Sequence, residues 1–411
     1  MNRNEILNKY IDLILKTGID LQKGQNIYLQ FEPYHWDFAS RLATQAYKLG
    51  ANFVDTDCVH QSLVKARIEN APDDSLEYLP EYYSQRFIEN SKAPWSRIAI
   101  KAPEDPDALA GLNQSRNAKV QKALRKASEP MMKALGAGKL PWLVCALPTQ
   151  KWAAKILGCE ASPQAEEKLW DILIPILRLD SKDPIATWKD LALSLKKRAH
   201  KLNDHKFEKL HFEAPGTDLW VYLIAQSHWA GGAIGRGDRE FIPNLPTEEV
   251  FTSPDWSKTH GKAKVTRPVE VFGSQVEGAY FEFQNGKVIN CGAQVGEEQL
   301  KAFVAADAQA SFLGEVALVD GHSPIFKSGK IFHSILYDEN AACHVALGAA
   351  YPIGVEDKNL SKDELLKLGY NQSLVHTDFM IGCPEMNVTG FTSSGKAVPI
   401  LNKGNFSDEF A

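Results

Sequence analysis

Long apolar runs are missing from this chain of 411 residues. None approaches the roughly 18 uninterrupted apolar residues that a membrane-spanning helix needs, so no span is expected. The opening segment MNRNEILNKYIDLILKTGIDL spaces its apolar residues at helical intervals and carries charge throughout. It has no unbroken apolar centre of the kind a secretory signal requires, and a cytoplasmic protein is expected. Cysteine is sparse, with residues at 58, 145, 159, 291, 343 and 383 and no C-x-x-C pair. A disulfide scaffold is thereby set aside, and buried reduced thiols are expected. An excess of basic charge is missing too: 46 Lys and Arg stand against 51 Asp and Glu, a net charge of −5. No global field draws nucleic acid or an anionic membrane, and neither is expected as a partner. The most basic stretch, LKKRAHKLNDHKFEKL (195–210), is diluted by Asp204 and Glu208 and reads as a solvated helix face and linker.

Several nucleotide and metal motifs are absent as well. No G-x-G-x-x-G follows the first strand pattern, and no G-x-x-x-x-G-K-[ST] occurs. The glycine-rich GGAIGRG (231–237) has the wrong spacing and reads as a flexible loop. H-E-x-x-H is also missing, which removes the one-zinc helix arrangement.

What is present begins with length: a chain this long exceeds one ordinary core, and two domains are expected. Strand patterns at 26–33, 52–58, 97–102 and 142–148 alternate with helical patterns at 36–51, 60–70 and 116–135, followed by helical 163–204. That alternation predicts an α/β N-terminal domain over 1–205, Rossmann-like with a largely parallel sheet. From 206 onward strand patterns dominate, and helices are expected only near 297–306 and 339–350. The second half, 206–411, is read as a strand-rich α+β catalytic domain.

Acids and imidazoles in that half sit beside apolar strand residues. NLPTEEVFTSPDW (244–256) carries Glu248 and Glu249, LGEVALVD (313–320) carries Glu315, and LVHTDFMIG (374–382) sets His376 and Asp378 on one face of a strand. LYDENAACHVALGAAYP (336–352) reads as a helix of small residues around His344. On a helix, Tyr351 would return within about 20° of His344, Asn340 would lie one turn before it, and Asp338 would serve as N-cap. Buried alone, such groups are costly, and a divalent cation removes that cost by serving several carboxylates at once. Mixed imidazole and carboxylate ligands suit zinc, cobalt or manganese rather than calcium. Taken singly, His344 also reads as a core histidine, the His-Thr-Asp pair as a strand-edge pair, and Glu315 as a solvated residue.

The wording of these segments closely resembles the signatures of one family, the metallo-aminopeptidases of the aminopeptidase T, aminopeptidase S and PepS type. In the N-terminal half RIAIKAPEDPDALAGL (97–112) and LPTQKWAAKILG (147–158) are similar to it too, so the likeness covers almost the whole chain in order. The resemblance implies a homodimeric exopeptidase acting on peptides, with two divalent ions in the C-terminal domain. It also implies the ligands Glu249, Glu315, His344, His376 and Asp378, with Glu315 bridging the ions. Tyr351 matches a tyrosine that would donate to the oxyanion, and Glu248 or Glu315 would accept the proton of the attacking water.

Overall fold

The computed structural model describes residues 2–236, 239–357 and 360–411, and the chain divides into two compact units. The first comprises Met1–Asp190 and Ala233–Pro246, the second Leu191–Gly232 and Thr247–Ala411. The division falls inside the helix Pro184–His205 rather than at its end.

In the first unit the strands Asn26–Phe31, Phe53–Cys58, Trp95–Ile100 and Trp142–Cys145 form a wholly parallel sheet. Ile27, Leu29, Ile98 and Leu143 are fully buried in it, as expected where helices cover a parallel sheet. Helix Trp36–Lys48 shows the matching pattern, burying Phe38, Ala39, Leu42 and Ala46 along one face. Helix Gln150–Leu157 is started by the Thr149 side chain and stopped by Gly158 in the left-handed region. A fifth parallel strand, Asn244–Leu245, pairs with Val144 and Cys145 from a hundred residues away. Nothing local in a two-residue strand announces it.

The second unit stacks two antiparallel sheets. One has eight strands, ordered Lys287–Gly292, Tyr280–Gln284, His260–Lys264, Thr217–Tyr222, Phe207–Ala214, Asn387–Thr392, Ala397–Asn402 and Asn405–Phe406. The other has five: β1 (Ala230–Gly231), β2 (Glu249–Thr252), β3 (Leu313–Val319), β4 (His344–Gly348) and β5 (His376–Met380), in the spatial order β5-β4-β3-β2-β1. Leu210, Phe212, Leu219 and Phe281 of the larger sheet share one apolar cluster with Val250, Val316, Leu318, Val345, Leu347 and Phe379 of the smaller. Phe281 and Phe379 meet edge to face, with centroids 4.9 Å apart.

Two sequence expectations are corrected here. The segment around His344 is not a helix: Glu339–Ala341 is a short 3₁₀ turn and His344–Gly348 is a central strand. Its alanines favour a helix in isolation, but β4 is buried on both faces between β3 and β5, where tertiary pairing overrides propensity. The glycine-rich run is not simply a loop either. Gly231 belongs to β1 and Ile234–Arg236 pairs with Arg239–Phe241, while Gly237 lies outside the described residues. All six cysteines are unpaired, as expected, but only Cys145 and Cys343 are buried; Cys58, Cys291 and Cys383 are half-buried and Cys159 is exposed. Among the described residues no helix is long and apolar enough to cross a membrane.

Candidate active site

The register of the five-stranded sheet decides which side chains meet. Residues directly opposite each other on antiparallel strands share a face. Glu315 pairs with Ala346 and Ala346 with Asp378; Phe251 pairs with Ala317, Ala317 with His344, and Gly348 with His376. Glu249, Glu315, His344, His376 and Asp378 therefore all lie on one face, and Val250, Val316, Val345 and Phe379 point the other way into the core. A register shift between Leu313 and Glu315 brings the glutamate into line with Ala346 and Asp378. Ala317, Ala346 and Gly348 form a floor of small residues among the charged ones. At Gly348, with φ of +100°, an added Cβ would sit 2.0 Å from the Val375 carbonyl oxygen, so only glycine fits.

Four of the five groups are almost fully enclosed: His344 is 1 % exposed, Glu315 5 %, Glu249 7 % and Asp378 7 %. His344 Nε2 lies 3.2 Å from Glu249 Oε2, 3.6 Å from Glu315 Oε1 and 4.0 Å from Asp378 Oδ1. His376 Nε2 lies 3.3 Å from Asp378 Oδ1. The other nitrogen of each ring is tied to the backbone, His344 Nδ1 to the Ala342 carbonyl at 3.2 Å and His376 Nδ1 to the Ala349 carbonyl at 2.6 Å. In a neutral imidazole Nδ1 then carries the proton, and Nε2 turns its lone pair toward carboxylate oxygens. Lone pair against carboxylate is repulsive unless a cation stands between them.

The protonation behaviour of the cluster expresses the same demand. Burial works against charging His376, but the Asp378 carboxylate overrides it and pushes the imidazole up to about 9. Burial likewise opposes charging His344, and Glu249 and Glu315 raise it well above the ordinary histidine range. Burial, with the nearby Asp378 charge, raises Glu315. Two groups of donors could each hold a metal ion, Glu249 with Glu315 and His344, and Glu315 with His376 and Asp378. Glu315 belongs to both.

The remaining expected residues fall as follows. Tyr351 reaches the site from beyond the end of β4, not from a helix face shared with His344, and its ring lies 4.7 Å from that of His376. Tyr351 is 46 % exposed as a residue, but burial at its phenol end, with the charges of Asp378, Glu315, Glu339 and Glu249, raises the phenol above its ordinary value. Glu248 is in neither donor group; its N–H donates to Asn340 Oδ1 at 2.7 Å, and its charge acts on Arg198. Asn340 does not orient His344: its amide also donates to the Leu336 carbonyl, so it fastens the turn to the segment that carries Glu248. Asp338 caps no helix. Its carboxylate accepts from the N–H groups of Phe332 and Ser334 and faces Arg267 at 3.4 Å, holding the loop before the turn.

One residue was not anticipated. Glu339 is half-buried, and burial together with the charges of Glu249, Asp378 and Glu315 raises it well above the ordinary glutamate range. The signal was present in D-E-N, three polar residues before an apolar run, but the helical reading made Asp338 a cap, set Asn340 on the face of His344 and gave Glu339 no role.

Comparison with known proteins places the chain in a family. Residues 3–406 match the family described as thermophilic metalloprotease (M29). Aminopeptidase 2 of Geobacillus stearothermophilus is 36% identical over 414 residues, covering 100% of both chains. Aminopeptidase AmpS of Bacillus subtilis (strain 168) is 34% identical, covering 98% of each. The solved structure of wild-type AmpT from Thermus thermophilus superposes with a TM-score of 0.91 at 33% identity, covering 98% of this chain and 100% of that one. With the α/β and strand-rich halves, the enclosed imidazole and carboxylate donors and these full-length likenesses, the chain belongs to the M29 family of metalloproteases and is a metal-dependent aminopeptidase.

Proposed function

We propose that this aminopeptidase removes N-terminal residues from peptides at a site holding two divalent ions, zinc, cobalt or manganese. Glu249, Glu315 and His344 would hold one ion and Glu315, His376 and Asp378 the other. The single observation carrying this reading is that Glu315 belongs to both donor groups. Such ions supply charge that polarises a scissile carbonyl and eases deprotonation of an attacking water. The chain's own residues do the rest. The Ala342 and Ala349 carbonyls fix the tautomers of His344 and His376 so that both Nε2 lone pairs face inward. Tyr351, still protonated at neutral pH, donates to the oxygen on which negative charge develops. Two carboxylates could take the proton, Glu315 inside the cluster and Glu248 outside both donor groups. The second unit, Leu191–Gly232 with Thr247–Ala411, is assigned the catalysis, and a homodimer in the cytoplasm is the expected working form.

Metal analysis after saturation with cobalt or zinc, alongside hydrolysis of aminoacyl-arylamides, tests the reading. Two ions per chain and metal-dependent release of the arylamine are expected. One ion per chain at saturation would defeat the two-ion assignment.

A further inference from the structure

The order of strands in the first unit's sheet marks a place where a ligand can bind. Phe53–Cys58 lies on one side of Asn26–Phe31, and Trp95–Ile100 and then Trp142–Cys145 lie on the other. The winding therefore reverses between Asn26–Phe31 and Trp95–Ile100. In open parallel sheets the connections leaving two such strands part from each other, and ligands bind in the crevice at their carboxyl ends. Glu32 directly follows the first of these strands and Lys101 the second. We propose that Lys101, with Arg97 behind it, holds a small oxyanion there, a carboxylate or phosphate group. The stretch RIAIKAPEDP (97–106) carries both cations and none of the five proposed metal ligands.

Strand alternation sets the face. Register places Arg97 beside Tyr28 and Ala99 beside Gln30, so Arg97 and Lys101 share the face of Tyr28 and Gln30. Arg97 Nε donates to Gln30 Oε1 at 2.7 Å. Gln30 lies further toward the carboxyl end than Tyr28, and the arginine therefore leans along its strand toward Lys101. The nearby acids are engaged elsewhere. Asp55 accepts from Arg86 at 2.8 and 3.0 Å. Asp57 accepts from the Tyr28 hydroxyl at 2.7 Å, from Gln30 at 3.1 Å and from Arg86 at 3.3 Å. Glu32 accepts from the N–H of Glu104 at 3.1 Å. Among the described residues the remaining N–H groups of the Arg97 guanidinium and the Lys101 ammonium have no hydrogen-bond or ion-pair partner.

Lys101 is exposed as a residue and Arg97 is half-buried. Burial at their charged ends nevertheless pulls both below their ordinary ranges, and the charge of Arg97 lowers Lys101 further. A side chain that touches solvent and is still desolvated stands on the floor of an open hollow, not on a convex surface. The loop that follows Ile100 is tied down around it. His35 Nε2 lies 2.7 Å from the Ala102 carbonyl, the Thr149 hydroxyl donates to the Pro103 carbonyl at 3.2 Å, and His60 Nε2 lies 3.1 Å from Glu104 Oε2. Two cations on one face without a counter-ion repel each other. An oxyanion between them accepts from the planar fork of Arg97 and from the Lys101 ammonium, and turns that repulsion into two charge-assisted contacts.

Isothermal titration of the metal-loaded enzyme at low salt, with inorganic phosphate and separately with acetate, tests the proposal. At least one of the two is expected to bind saturably and to weaken as sodium chloride is added. K101M and R97M are each expected to weaken that binding by at least about tenfold, and K101R, which keeps the charge, to retain most of it. The Lys101 side chain is exposed, so K101M is expected to keep the wild-type unfolding midpoint, and its loss of binding then reports the site and not the fold. Tighter phosphate binding would identify a phosphate group as the ligand, and tighter acetate binding a carboxylate. Anion binding unchanged in both K101M and R97M would place the ion at the metals or elsewhere and overturn the proposal. Absence of saturable binding to the wild-type enzyme would overturn it equally.

Discussion

The two faces of the five-stranded sheet are built from the same strands and obey opposite rules. On the core face Val250, Val316, Leu318, Val345, Leu347 and Phe379 fill the space against the larger sheet, and shape complementarity is what matters. On the other face charged groups stand beside Ala317, Ala346 and Gly348, and the placement of those groups is what matters. Successive residues of one strand therefore serve stability and chemistry in turn. The packed face fixes the backbone, and the other face uses that to keep five candidate ligand groups near one another.

The sharpest way to test this contrast is to mutate neighbours that point opposite ways on β5. His376→Ala removes a donor from the site face. It is expected to lose at least one ion by metal analysis and several kcal/mol of transition-state stabilisation, a loss of turnover in the thousands, with the unfolding midpoint of the metal-free protein lowered little. Phe379→Ala should do the reverse. Removing a ring packed against Phe281 is expected to cost about 3–5 kcal/mol in denaturant unfolding, while the folded fraction keeps its metal and its kcat. If Phe379→Ala abolished metal binding in folded protein, the two faces would not be separable.

A smaller effect is expected from Tyr351→Phe, which keeps the ring beside His376 and removes only the donor. Steady-state assays should show kcat falling by about 10²–10³ with metal content unchanged. Smaller still is a pH effect in the metal-free protein. The imidazole of His376 is raised from its ordinary value of 6.5 to about 9, so the stability it contributes is fully present below pH 6.5 and is lost as pH rises through 9. Thermal unfolding of the metal-free protein should weaken across that window, and the H376A variant should show a shallower decline. With metal bound the imidazole is already deprotonated, and the decline from this group should disappear.

How far the sequence reaches differs between elements. The four long parallel strands of the first unit are legible because helical and strand periodicities alternate in short, well-separated blocks. The fifth, Asn244–Leu245, is not, because two residues carry no period. His376 and Asp378 were legible as a same-face pair since a strand repeats every two residues. His344 was recognised as a site residue while its element was misread, because an alanine-rich buried strand and a helix look alike when no face is exposed to polar positions. Glu339 was missed for the same reason: a helix would have placed it elsewhere.

The sequence by itself determined the class of the protein, the alternation of its first half, the strand-rich character of its second, and the kinds of donor available for metal. Those follow from residue chemistry and local period. Only the tertiary structure decided that Glu249, Glu315, His344, His376 and Asp378 share one face, that Glu315 serves two donor groups, and that Glu248 belongs to neither group. The shared face depends on strand register between segments tens of residues apart, and a shift of one residue in that register would turn the candidate ligands into the core.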